Sequence, residues 1–157
     1  MYLDAQNLFT GTPVAPSQAI TATAPSTNII DFGAYVGTVT NGQADPGPGK
    51  PLYLYATVTQ AFNNLTSITI ALQTSASSSF GTVVTHWSVT IALANLTLGA
   101  IIDLPPIAGI TGMLEFARLE FTVTGTAPTT GTIEAGIVET LQANTPTGQT
   151  AGLGQLP

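Results

Sequence analysis

Alternation of apolar and polar positions is the strongest signal in this chain. In "PLYLYATVTQ" (51–60), Leu52, Leu54, Ala56 and Val58 take one side, while Tyr53, Tyr55, Thr57 and Thr59 take the other. That two-residue period predicts a half-buried β-strand. "SITIALQT" (67–74) repeats it with Ile68, Ile70 and Leu72 inward, and "VVTHWSVTIAL" (83–93) puts Val83, Thr85, Trp87, Val89 and Ile91 on one face. A short strand at 100–104 is stopped by Pro105-Pro106. In "MLEFARLEFTVTG" (113–125) the phase changes between Leu114/Phe116 and Leu119/Phe121/Val123. A β-bulge near Ala117 would return all five to one side. "GTIEAGIVETLQA" (131–143) places Ile133, Ala135 and Ile137 inward.

Upstream, 17–24 and 28–33 read as two short strands joined by a Pro25-Ser26 turn, with Ile20, Ile29 and Phe32 as inward anchors. Residues 1–16, with Gly11, Pro13 and Pro16, read as an extended arm without a strand of its own. The Gly/Pro-rich 40–51 is a loop and 144–157 a polar tail. About eight short strands at even spacing, with no helical period, predict an all-β sandwich or barrel. The expected fold is a single-domain jelly-roll β-sandwich of about eight strands, with an immunoglobulin-like sandwich as the alternative. Its domain plan is arm 1–16, body 17–143 and tail 144–157.

Composition narrows function mostly by exclusion. Only 6% of the 157 residues are charged, against a usual share of about 25%. Lys50 and Arg118 are the sole Lys/Arg residues, and the net charge is -6. Binding to a phosphate backbone needs basic clusters that two residues cannot form, so nucleic-acid and anionic-membrane partners are not expected. Cysteine is absent, which removes disulfides, thiol chemistry and Cys-based zinc sites. With 44% hydrophobic residues and few charges, the surface reads either as one partly covered by other protein or as a Thr-rich solvated one. No apolar run reaches the roughly 18 residues of a membrane-spanning helix, and the first residues show no basic-then-apolar secretion pattern.

The chemistry-bearing residues are sparse. His86 is the only histidine, sits in an alternating strand, and has no Gly-x-Ser-x-Gly nucleophile elsewhere to serve. No metal, cofactor or catalytic set is expected. Glu115, Glu120, Glu134 and Glu139 fall on two successive strands that read as a hairpin. Glu120 with Glu134 is therefore the one pair to weigh against a glycosidase, whose two carboxylates stand about 5–9 Å apart. Arg118 and Glu120, two residues apart on one face, instead suggest an ordinary ion pair. Tyr53 and Tyr55, facing outward together, would suit a carbohydrate platform or a protein contact, or would equally cover a sheet surface beneath a loop.

Several segments in order resemble one family. "DAQ" (4–6), "QAITATAPSTNIIDFG" (18–33), "GKPLYLYATVTQAF" (49–62), "TSITIALQTS" (66–75), "IALANLTLGAIIDLP" (91–105) and "ARLEFTVTGTAPTTGTIEAGIV" (117–138) are similar to the capsid cement, or decoration, proteins of tailed bacteriophages. The resemblance implies a non-enzymatic jelly roll, made in the bacterial host cytoplasm, that oligomerises as a dimer or trimer. It implies a place on the outer surface of the virion head, clamping neighbouring major capsid subunits. The rival expectation is a carbohydrate- or receptor-binding module. Candidate interface residues are Leu3, Leu8 and Phe9 on the arm, Tyr53 and Tyr55, and Arg118 with Glu120. Deleting 1–16 is accordingly expected to weaken attachment more than folding.

Overall fold

The computed structural model describes residues 7–33, 52–107 and 110–138. The 40–51 loop, the 144–157 tail and Leu3 lie outside the described residues. Two antiparallel sheets face each other. The first has strands β1 (Ser17–Ala19), β4 (Tyr53–Gln60), β7 (Ile101–Asp103) and β9 (Thr132–Val138), in the order β1-β9-β4-β7. The second has β2 (Ala24–Pro25), β3 (Ile30–Asp31), β5 (Leu65–Ser75), β6 (Val84–Ala92) and β8 (Phe116–Gly125). Its order is β2-β8-β5-β6, with β3 also on β8.

Because β2 and β3 pair with the same side of β8, at Phe121/Glu120 and at Ala117/Phe116, they form one interrupted edge strand. The chain then alternates between sheets as first, second, first, second, second, first, second, first. That is the connectivity of an eight-stranded jelly roll, and it decides against the immunoglobulin-like alternative.

The alternation read from the sequence holds along β4 and β9 and through the middle of β5. Leu54, Ala56 and Val58 of β4, Ile133, Ala135 and Ile137 of β9, and Ile68, Ile70 and Leu72 of β5 all enter one core. Leu119 and Phe121 of β8 join them, both fully buried. A 3₁₀ turn at Leu93–Asn95 follows β6.

Four local expectations change. First, there is no bulge at Ala117: β8 runs in register against β5 from Phe116↔Ser75 to Thr124↔Ser67. Ala117 therefore points inward, and Phe116 shares the outer face with Arg118. The extra residues sit instead at Thr59 in β4, Thr66 in β5 and His86 in β6. The His86 bulge flips the parity of β6, so Trp87, Val89 and Ile91 continue inward while Thr85 is exposed.

Second, Pro25 is not a turn but half of β2, opposite Glu120. An edge strand tolerates proline because one of its hydrogen-bonding rows has no ladder partner. Third, Ile30 rather than Ile29 is the inward residue, at 6% against 43% exposure. Fourth, β8 and β9 are not a hairpin. Residues 126–131 form a corner that carries the chain from one sheet to the other. Asn63 holds that corner, its Oδ1 accepting from the N–H groups of Thr129 (2.9 Å) and Thr130 (3.1 Å).

Candidate interaction surfaces

Among the described residues no group of three or more His, Asp or Glu could hold a metal ion, and the features that stand out are surfaces: which are presented, and how firmly. The N-terminal edge is built first. Phe9 donates its N–H to the Ala135 carbonyl at 2.9 Å, and Leu8 bridges Gly136, so the arm extends the β1 edge along β9. Phe9 and Leu8 are both 0% exposed. Phe9 lies in the core, and Leu8 pairs on the other side of the sheet. Two of the expected interface residues are thus consumed by the chain's own fold, because the arm completes a sheet row that would otherwise stand open.

Between the arm and β1, residues 10–16 leave the sheet as a braced loop. The Thr10 hydroxyl, fully buried, accepts from the Ala135 N–H at 2.8 Å and donates to the Pro16 carbonyl at 2.7 Å. Thr12 and Ala15 exchange both backbone bonds, at 2.9 and 3.0 Å. Gly11 has φ +63°, and a Cβ there would run into the Ala15 carbonyl. Asn28 and Thr27 each bond Gly11's backbone, at 2.7 and 2.8 Å. The product is a firmly held tip, Pro13-Val14, with Val14 94% exposed.

The outer face of the first sheet carries hydroxyls and one buried tyrosine. Thr59 donates to Ser17 at 2.8 Å and lies 2.6 Å from the Thr132 hydroxyl. Tyr55 is only 7% exposed, and its hydroxyl donates to Glu134 at 3.0 Å. Its ring lies across Gly136, where a Cβ would come within 2.8 Å of both the ring and the Asn7 carbonyl. Burial, and then the adjacent Glu134 carboxylate, raise the Tyr55 pKa above the ordinary tyrosine range. Tyr55 therefore offers no stacking face, and Tyr53 alone, half-buried, does not make a platform.

The outer face of the second sheet centres on Arg118. Its guanidinium sits 4.3 Å above the Phe80 ring, its Nε donates to Gln73 at 2.9 Å, and it pairs with Glu120 at 3.5 Å. The ion pair read from the sequence is present, and both side chains are about four-fifths covered. Arg118 is engaged on three sides within the chain, so little of its charge is left to present.

Glu120 and Glu134 face away from each other on the two outer faces of the sandwich, since β8 and β9 belong to different sheets. With sheets stacked about 10 Å apart, that pair cannot flank one bond. His86 is half-buried, with Nε2 2.7 Å from the Thr74 hydroxyl. Tyr53/Tyr55 and Arg118/Glu120 are likewise on opposite faces, so the expected interface residues form no single patch.

The surface that the sequence reading missed lies on the open side of the sandwich. A groove of about 510 Å³ runs between β6 (Val89–Ile91) and β7 (Ile101–Asp103), floored by Asn95, Thr97 and Ala100. Beside it Leu98 and Ile101 are 70% and 64% exposed. Leu98 precedes Gly99 as Val14 follows Pro13, so an apolar residue beside a turn former is the signal that could have found both.

Comparison with known families matches the Bbp16 family to residues 14–137, from the tip of the braced loop to the end of β9. The chain belongs to the Bbp16 family. The family is phage-associated, in keeping with the phage resemblance read from the ordered segments. No curated protein matches the chain.

Proposed function

We propose that this Bbp16-family chain is a capsid cement protein. It attaches to the outer surface of a phage head and clamps neighbouring major capsid subunits by contact, without catalysis. The observation that carries the reading is the phage-associated family match across almost the whole jelly roll. The molecule's physical character supports it. A surface this poor in charge gains little from long-range steering, and suits short-range apolar contact at fixed positions on a lattice. Many modest contacts on such a lattice act together through high effective concentration. The braced Val14 tip is the contact we assign to the shell, because its loop is already ordered and loses little entropy on docking.

The carbohydrate-module reading loses its motivation, since Tyr55 is covered. The arm test also changes. Removing 1–16 would take Phe9 and Thr10 out of the core and disturb folding, so the informative truncation stops at residue 6. Co-sedimentation with expanded heads lacking this chain tests the proposal, with cryo-electron microscopy of the parent particle locating it. Val14→Asp is expected to weaken head binding about tenfold while leaving the melting temperature unchanged. Parent heads with no outer density for this chain would sink the reading.

A further inference from the structure

Among the described residues, two that are not glycine have a left-handed backbone, Asn64 and Phe80. Asparagine tolerates that conformation; a bulky aromatic at φ +51° is strained by it. Gly81, the residue free to adopt it, stands one place further on and does not. A Cβ on Gly81 would meet nothing within 4 Å, so packing gives no reason for glycine there. What the strained turn gains is the position of the ring. Phe80 is 7% exposed, while its neighbours on both sides in the loop 76–83 between β5 and β6 are exposed. The ring lies under the Arg118 guanidinium, so the loop folds back over the outer face of the second sheet, where Gln73 and Arg118 stand opposite each other. This closed arrangement has a second cost. Held over the ring and bonded to Gln73, the guanidinium stays 3.5 Å from Glu120 Oε2. That oxygen is buried and has no hydrogen-bond partner among the described residues.

We propose that loop 76–83 is a two-state latch over Arg118. In the closed state Phe80 takes the left-handed position and its ring is clamped beneath the guanidinium. In the open state that position passes to Gly81, the ring leaves the sheet face, and the guanidinium turns toward Glu120. Closing gains the burial of one phenyl ring and its cation–π contact. It costs a strained backbone and a carboxylate oxygen without a hydrogen bond, which are of the same order. The two states therefore lie close in free energy, with the open one a minor population of about 1%. Closed, the latch withholds the only Lys or Arg among the described residues, together with a phenyl ring. Open, it presents the two side by side, and aromatic and arginine side chains are the ones enriched at protein contacts. The latch thus decides whether this face offers an anchor or a bland surface of hydroxyls.

Exchange-saturation NMR on the full chain tests this, read at the Phe80 and Gly81 amides and at the Arg118 Nε–H. Arg118 is the chain's sole arginine, so that Nε–H gives a single signal. The expected result is one minor state of about 1%, with the same population and rate at all three sites. Gly81→Ala should lower that population about fivefold, because alanine resists the left-handed position that the open state asks of it. In the closed state the added methyl group enters open space. Arg118→Lys keeps the charge but loses the flat stacking group, and should raise the population about threefold. Phe80→Leu should shift the Arg118 Nε–H signal, because the ring current is lost. No minor state, different rates at the loop and at Arg118, or a population indifferent to Gly81→Ala overturns the proposal. So does an Nε–H signal unmoved by Phe80→Leu. If Arg118→Lys or Phe80→Leu loses its β circular-dichroism signal, the unaltered chain and Gly81→Ala decide, since neither disturbs a buried contact. No readout involves a capsid, so this result stands whether or not the cement reading does.

Discussion

The N-terminal edge and the β6 edge bound the same sandwich, and they are finished by opposite means. At the N-terminal edge the backbone is irregular, and side chains complete what strand pairing leaves open. Gln18 reaches from the first sheet to the second on the β1/β2 side. Its Nε2 donates to the Pro25 carbonyl at 2.9 Å and its Oε1 accepts from the Thr27 N–H at 2.8 Å. The Ser26 hydroxyl accepts from the Leu119 N–H at 3.1 Å and donates to the Asn28 carbonyl at 2.9 Å. Thr10 serves Ala135 and Pro16 in the same way. At β6 the backbone is regular apart from one bulge, and the side chains add only Thr90 to Thr69 and His86 to Thr74. One edge is sealed from within. The other is left to be sealed from outside.

The largest effect should come from the sealed edge. Phe9 is fully buried in the core although it precedes the first strand. Phe9→Ala should lose about 3–5 kcal/mol, the removed apolar contact plus the cavity left behind. Urea unfolding measures this, and a loss under 1 kcal/mol (roughly that of a surface site) would mean that the arm is only laid over the body.

A matched pair of substitutions sharpens the contrast. Thr10→Val keeps the shape but strands the Ala135 N–H and the Pro16 carbonyl, and should cost about 2–3 kcal/mol. Thr90→Val removes an exposed hydroxyl pair from a strand position that valine suits well, and should stay within about 0.5 kcal/mol. Equal losses at both threonines, by the same urea measurement, would erase the distinction between the edges.

The same contrast explains what could be read in the sequence. β4, β5 and β9 were legible because a period of two needs only the pleat and one buried face, as at Leu54, Ala56 and Val58. The N-terminal edge was not, because its order rests on Thr10, Gln18 and Ser26 bonding to backbone distant in the chain, and nothing in their spacing names those partners. Glu120 and Glu134 were misplaced for a topological reason. Strands that follow one another through a short connection usually pair, but in a jelly roll β8 and β9 turn a corner into different sheets. Of the candidate surface residues, the Arg118–Glu120 ion pair was legible from parity. For Tyr55 the sequence left a covered and an exposed reading open, since what covers it is the arm beside it and Gly136 across the ladder. The open β6 edge was written in the sequence as a strand without charge or proline. It becomes an edge only once the sheet order is known.

The smallest expected effect belongs to β6, through its one titratable group. His86 occupies the bulge, and the Thr74 hydroxyl, which accepts from the Leu114 N–H at 3.3 Å, is placed to donate to its Nε2. That arrangement suits a neutral ring protonated on Nδ1, and burial alone lowers the pKa below the usual 6.5. The sign follows. The unfolded chain takes up this proton at higher pH than the folded chain, so the His86 contribution is intact above about pH 6.5 and is lost as pH falls through and below it. His86→Gln should remove that slope from a series of urea midpoints while barely moving the midpoint near pH 7.5, about one pH unit above the unperturbed value. As the only histidine, His86 also gives a single imidazole resonance, so the shift can be read directly by NMR titration. A folded pKa at or above 6.5 would mean that the bulge leaves the ring in open water, and that β6 is even less braced than its two side-chain bonds suggest.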